Sequence, residues 1–396
     1  MTLPFIRQVK QLAGKRVLVR VDFNVPVKRG RVINDFKLVR SLATIEYLVS
    51  RKARVILVSH LGRPIGLSSK LSLLPVAKRL SDLMQQPISL LQIRTKKDWQ
   101  TTQNTINTLE NGEVVMLENI RFLKDEEAEG VTLSKALANL ADIFVLDGFA
   151  VAHRRAASVT GITKYLPSYA GLLLFEEINV LTSVFKRPKR PMVLILGGAK
   201  TETKIPVLQK FLTIADYILV GGGIANTYFA AEGKKLGDSL FDSAKLDEVQ
   251  KICRHKKIVL PVDVVVGKAN GTGAKIVPID QLVVTNGKGV YDVGPETTKQ
   301  FAAIIKKAKT LIWNGALGFF EQHPYQYGTY AIARLFAARS QGKSVGVAGG
   351  GETIEILEKL KIRHEIDLVS TGGGAMLEFL SGRKLPGLEA LQNKHN

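Results

Sequence analysis

Arginine and histidine recur at one kind of place in the first half of this chain. Ser59-His60-Leu61-Gly62-Arg63-Pro64, Glu118-Asn119-Ile120-Arg121 and Asp147-Gly148-Phe149-Ala150-Val151-Ala152-His153-Arg154-Arg155 each follow a short run rich in Val, Ile and Leu. Asp22 and Asn24 follow a fourth such run. An arginine presents a planar fork matched to phosphate or carboxylate oxygens. His60, Arg63, Arg121, His153 and Arg154 gathered on one rim would suit a small, multiply charged anion. Taken singly, each is an ordinary solvated loop charge; their common position behind apolar runs is what favours a site.

The second half uses glycine instead. Gly197-Gly198-Ala199-Lys200, Gly221-Gly222-Gly223, Gly349-Gly350-Gly351-Glu352-Thr353 and Thr371-Gly372-Gly373-Gly374 each follow an apolar run. Most precede a stretch of helical period. Glycine lets a backbone approach phosphate oxygens, and the N–H groups of the next helix attract anions. One such cluster is weak evidence, because tight turns also need glycine. Four on one expected edge point to a ligand of nucleotide size. Lys200 and Lys204, four apart at an expected helix start, would share a face and address the same anion. Asn314-Gly315-Ala316-Leu317-Gly318 leads to Glu321, a carboxylate that could accept hydrogen bonds from ribose hydroxyls. No G-x-G-x-x-G occurs, so a dinucleotide reading has no support. Gly342-Lys343-Ser344 imitates the end of a phosphate loop, but Ala337 stands where its first glycine belongs.

These residues need elements to position them. Expected strands are Arg16–Val21, Arg54–Ser59, Glu113–Leu117, Ile143–Leu146, Met192–Leu196, Tyr217–Val220, Ile258–Leu260, Val262–Val266, Leu311–Trp313, Ser344–Val347 and Asp367–Val369. Continuous apolar runs suit parallel strands covered on both faces. Between them, Leu38–Val49, Leu74–Met84, Ser134–Leu140, Ile205–Leu212, Thr297–Ala308 and Thr329–Ala338 carry apolar residues at helical spacing. Alternating strands and helices give an α/β fold. In such sheets ligands sit beyond the carboxyl ends of the strands, where the chemistry-bearing residues fall. A helix over 171–185, stopped by the two prolines of Lys186-Arg-Pro-Lys-Arg-Pro191, would join two domains of similar size.

Composition agrees and excludes much. With 396 residues, 45% of them hydrophobic, the chain can build two or three domains. A single cysteine, Cys253, leaves no intramolecular disulfide and no multi-cysteine metal site. No apolar run approaches the ~18 residues of a membrane span, and the opening Met-Thr-Leu-Pro-Phe-Ile-Arg-Gln lacks the plan of a signal peptide. A cytoplasmic setting without membrane partners is expected. The formal charge of +21 favours anionic partners. It is spread over both halves with no basic arm, and basic residues are not interleaved with aromatics, so no specific nucleic-acid partner is expected.

Taken together, these motifs resemble those of the phosphoglycerate kinase family, nearly end to end. The segments are Arg20-Val-Asp-Phe-Asn-Val-Pro26, Ser59-His-Leu-Gly-Arg-Pro64, Leu117-Glu-Asn-Ile-Arg-Phe122, Ala152-His-Arg154, Gly197-Gly-Ala-Lys200 and Gly221-Gly-Gly-Ile-Ala-Asn226. They continue through Leu260-Pro-Val-Asp263, Gly294-Pro-Glu-Thr297, Trp313-Asn-Gly315, Gly349-Gly-Gly351 and Ser370-Thr-Gly-Gly-Gly-Ala375. The resemblance implies two doubly wound, Rossmann-like parallel-sheet domains facing each other across a hinged cleft. Residues 1–170 would bind 3-phosphoglycerate or 1,3-bisphosphoglycerate, with a tail over 376–396 packing back on them. The hinge would span 171–186, and residues 187–375 would bind ADP or ATP with Mg²⁺. By position, Asp22, Phe23, Asn24, Lys37, His60, Leu61, Gly62, Arg63, Arg121 and Arg154 would hold the glycerate ligand. Lys200, Lys204, Gly222, Asn314, Glu321, Gly350, Gly351, Glu352 and Thr353 would hold the nucleotide, with Glu352 reaching Mg²⁺ through it. Lys37, Arg154, Lys200, Gly351 and Gly373 would meet the transferring group, and the protein would be a monomer.

Several positions depart from the family pattern. Lys37 stands where an arginine is usual and keeps the charge without the fork; Arg40 is a candidate to compensate. Glu352 and Thr203 each replace an aspartate, Ala156 replaces a histidine or glutamine, and Ala316-Leu317 replaces Pro-Met or Pro-Val. Two alternatives follow: a divergent nucleotide-binding relative with weak or lost transfer, and a basic polyanion-binding protein.

Overall fold

A computed structural model describes residues 3–392. The chain divides into two compact units, residues 1–179 with 384–396 and residues 180–383. Of the expected tail, 393–396 lie outside the described residues. Helix Gly373–Leu380, at the start of that tail, belongs to the second unit, where it packs on helix Thr201–Ile214. The first unit regains the chain only at Lys384.

The first unit is built on a six-stranded parallel sheet. Across it run Ser89–Leu91, Val114–Leu117, Arg54–Val58, Arg16–Arg20, Ile143–Leu146 and Ser168–Ala170. Central strands are buried throughout or nearly so, and Leu38, Ile45 and Leu48 of helix Phe36–Ser50 pack into the same core. The apolar stripe of that helix recurs at three and four, which is why it lies flat on the sheet.

The second unit repeats the plan with Ile258–Val259, Tyr217–Val220, Met192–Leu196, Thr310–Asn314, Val345–Gly349 and Leu368–Ser370, all parallel. Numbered along the chain within this unit, the order is 3-2-1-4-5-6, that of doubly wound nucleotide-binding sheets. Strand order reverses between Met192–Leu196 and Thr310–Asn314, so the ends of these two strands open a crevice.

The structure adds what apolar runs alone do not signal. Ser89–Leu91 and Ser168–Ala170 are three-residue strands at the two edges of the first sheet. Val262–Val266, expected beside the parallel strands, is instead Asp263–Gly267, the centre of an antiparallel trio with Lys275–Pro278 and Gly289–Val293. Three of its five residues are valines, and a buried valine run reads alike in either kind of sheet.

Candidate active site

In the first unit, polar groups at the strand ends are tied to one another before any ligand arrives. Strand Arg16–Arg20 ends in a buried arginine whose guanidinium donates to Ser158 Oγ at 2.8 Å and to His60 Nδ1 at 3.2 Å. Glu126 lies 4.0 Å from that guanidinium and accepts from Ser158 N at 3.0 Å. Burial, reinforced by Arg20, holds the His60 pKa well below its ordinary 6.5, so the ring is neutral. A guanidinium can only donate, so Nδ1 is the acceptor and the ring proton sits on Nε2. His60 is thereby fixed as a neutral N–H donor.

Asp22 is buried beside it. Burial alone would raise its carboxyl pKa, but the charge and hydrogen bond of Lys37 and the charge of Arg20 outweigh that and the net shift is downward. Lys37 Nζ, from the first turn of helix Phe36–Ser50, lies 2.5 Å from Asp22 Oδ2. Arg40 does not join this group; it pairs with Glu176 at 3.1 Å. Lys37 therefore has no stand-in there.

The turn after Arg54–Val58 is pinned by amides. Gly62 N donates to Asn24 Oδ1 at 2.9 Å and Phe23 N to Ser59 Oγ at 2.8 Å. Asn119 Oδ1 accepts from Leu61 N at 3.2 Å, while Asn119 Nδ2 donates to Leu61 O at 2.8 Å. Arg121 donates to Gly62 O at 2.5 Å, and Arg121 and Arg154 share the exposed carboxylate of Glu127 at 3.2 and 3.7 Å. Burial and then the nearby charge of Arg154 lower the Arg121 pKa, with Arg63 adding to the repulsion. Arg154 and Arg63 thus both sit close enough to repel Arg121, with the solvent-facing carboxylate of Glu127 between Arg121 and Arg154. An anion with two or more charges relieves that repulsion. His153, in the same segment, is half-buried beside the exposed Arg155.

In the second unit, the crevice at the strand-order reversal holds two adjoining cavities of about 360 and 690 Å³. Gly198, Ala199 and Glu352 line both. The smaller is apolar, walled by Leu240, Pro261, Val290, Leu317 and Phe320, with Gly222 and Glu321 also on its wall. The larger is lined by Lys200, Lys204, Asn314, Gly350, Gly351 and Gly373 among others. Lys204 is buried with its ammonium on Asn314 Oδ1, and burial lowers its pKa to about 8 against the pull of Glu352. Lys200 lies just before helix Thr201–Ile214 and is exposed, so the two lysines meet the same cavity from different settings. Thr203 Oγ donates to Lys200 O at 3.0 Å. Thr353 does not line the cavity; its Oγ accepts from Gly315 N at 2.7 Å and braces the turn. Gly350, at φ +100°, begins helix Gly351–Lys359, whose unpaired N–H groups face an incoming anion.

An apolar slot joined to a cationic, amide-lined trough is chemically suited to a base and its phosphates. Comparison with known proteins gives the family. The family model for phosphoglycerate kinase matches residues 6–383. The chain belongs to the phosphoglycerate kinase family. It is 41% identical over 389 residues to the phosphoglycerate kinase of Pelotomaculum thermopropionicum, covering 96% of this chain and 97% of the relative. It is 42% identical over 391 residues to that of Francisella tularensis subsp. novicida, covering 97% of each. The structure of phosphoglycerate kinase from Coxiella burnetii superposes with a TM-score of 0.86 at 36% identity over the full length of both chains. That from Pyrococcus horikoshii OT3 gives 0.87 at 29% identity over 99% of each.

The sequence motifs contain Arg20 and Asn119 but give no role to them, nor to Ser158 or Glu126, the residues that hold His60 and the 59–64 turn. The available signal was Arg20 itself, a charged residue that directly follows the apolar run Val17–Val19. Among the described residues, no group of three or more His, Cys, Asp or Glu could hold a metal ion. One carboxylate, Glu352, at the junction of the cavities fits Mg²⁺ arriving on nucleotide phosphates, where one or two carboxylates suffice. No helix among the described residues is long and apolar enough to cross a membrane.

Proposed function

We propose that this enzyme transfers a phosphoryl group reversibly between 1,3-bisphosphoglycerate and Mg-ADP, giving 3-phosphoglycerate and ATP. The observation that carries the reading is the pairing of an arginine cluster in one unit with a lysine- and glycine-lined trough beside an apolar slot in the other. In the forward direction a terminal oxygen of ADP attacks the acyl phosphorus and the P–O bond to the acyl group breaks. The electron pair leaves with the carboxylate. That carboxylate has a pKa near 4 and leaves unprotonated, so no acid or base is required.

His60 Nε2–H, Arg63, Arg121 and Arg154 would hold the glycerate ligand, with Asn24 and the amides of Leu61 and Gly62 fixing the turn that carries them. Asp22 would orient Lys37, whose charge serves the transferring group. In the other unit the base would occupy the slot beside Gly222 and Leu317, and Glu321 would take the ribose hydroxyls. Lys200, Lys204 and the amides at Gly350, Gly351 and Gly373 would neutralise phosphate oxygens as charge redistributes. Mg²⁺, when bound, supplies charge neutralisation on the phosphates, and Glu352 is the residue that would meet it. The stretch expected as a hinge, 171–186, belongs to this reading, since the two ligands are assigned to different units and transfer requires that they meet. A monomer in the cytoplasm is the setting proposed.

Steady-state kinetics of Arg154→Ala test the assignment. Loss of a charge-assisted hydrogen bond should raise KM for 3-phosphoglycerate by about 10- to 100-fold while KM for ATP moves less than about twofold. An equal rise in both would contradict it.

A further inference from the structure

Glu352 does more than line the junction of the two cavities. Its Oε2 accepts a hydrogen bond from the backbone N–H of Ala316 at 3.2 Å, across from the start of helix Gly351–Lys359 to the turn after strand Thr310–Asn314. The carboxylate also lies over Gly198, where a side-chain carbon would come within 2.7 Å of Oε2. The carbonyl of Ala316 is committed as well, accepting from Gly198 N at 2.6 Å. Ala316 therefore ties three strand-end turns together with its two backbone groups, and one of the ties is to the carboxylate.

We propose that the Ala316 N–H is a positioning donor that holds the Glu352 carboxylate toward the metal-bearing phosphates, so that the glutamate and a non-proline residue at 316 work as a pair. The inference rests on the reading of this trough as the Mg-nucleotide site. Its physical basis is reach. Glutamate is one methylene longer than aspartate and gains a rotatable bond, which an unanchored side chain spends on wandering. A hydrogen bond from a fixed amide to one oxygen removes that freedom and leaves the other oxygen for the ligand. Proline at 316 has no N–H to give.

Calorimetric binding of ADP with and without Mg²⁺ tests this without turnover, in wild type, Ala316→Pro, Glu352→Asp and the double variant. Ala316→Pro should lower the Mg-dependent gain in ADP affinity by about tenfold, the scale of a hydrogen bond to a charged group. In the Glu352→Asp background, whose shorter side chain falls short of the amide, the same proline should change the gain less than about twofold. Equal effects of the proline in both backgrounds, or none in wild type, would overturn the pairing. Amide exchange in wild type covers the case in which the proline variant does not fold. Ala316 N–H must stay protected in the Mg-ADP complex, and an amide that exchanges freely there overturns the proposal. Failure of wild type to bind ADP at all would instead overturn the nucleotide-site reading.

Discussion

Lys204 is a cation held in a place that discourages charge. Burial brings its pKa down to about 8, with Glu352 drawing it back up. A lysine with a lowered pKa is charged below that value and neutral above it. The free enzyme should therefore lose its attraction for nucleotide as pH rises past about 8, and kcat/KM for ATP should fall with it. Bound phosphates favour the charged amine, so kcat should hold to higher pH. Separate pH profiles of kcat/KM and kcat check this, and a kcat/KM level to about pH 10, near the ordinary lysine value, would contradict it. Lysine at 204 and histidine at 60 were legible from their spacing behind apolar runs. Their ionisation was not, because it depends on burial and on Arg20 for His60 and Glu352 for Lys204, both distant in sequence. Arg40 shows the converse. One helical turn from Lys37, it is drawn to Glu176 by a contact that no local pattern announces.

At the scale of elements, the turn between Thr310–Asn314 and the chain beyond it carries the nucleotide crevice. Gly315 has φ +91° and packs on the backbone of Gly197, leaving no room for a side chain. Its carbonyl accepts from Trp313 Nε1 at 2.8 Å and its amide donates to Thr353 Oγ at 2.7 Å. Gly315→Ala should cost about 2–4 kcal/mol through left-handed strain and backbone collision, and should weaken ADP binding. Gly342→Ala, at φ +77° with nothing within 4 Å of the added carbon, should cost about 1 kcal/mol and leave ADP binding unchanged. Urea midpoints and ADP titrations compare them; equal costs would remove the crevice from the explanation. The glycine clusters and most parallel strands were legible because a strand buried on both faces must be apolar throughout. The edge strands Ser89–Leu91 and Ser168–Ala170 were not, since a short edge needs no such run. The antiparallel trio was hidden by Val264, Val265 and Val266, which satisfy either kind of sheet.

Across the whole molecule, two buried carboxyls contribute to how stability responds to pH. Asp147 accepts from Leu173 N at 3.0 Å at the start of helix Leu172–Lys186, and burial raises its pKa to about 7. Asp292 accepts from Gly328 N at 2.8 Å, and burial raises it to about 8. An acid whose folded pKa lies above its unfolded value takes up a proton on folding. The contribution of these groups to stability is fully present below about pH 4, where both states are protonated, and it declines as pH rises through 7 and 8. Asp147→Asn keeps an acceptor for Leu173 N and removes the titration, so its urea midpoint should fall less than that of wild type between about pH 5 and 8. Parallel slopes would contradict the burial assignment. The formal charge of +21 exceeds what the two strand-end clusters use, and nothing in the fold explains the remainder. In the proposed function, labour divides between an arginine rim and a lysine–glycine trough. Purified protein given 1,3-bisphosphoglycerate and Mg-ADP tests it most directly. ATP and 3-phosphoglycerate should form in equal amounts; ADP that binds while no ATP forms would contradict this division.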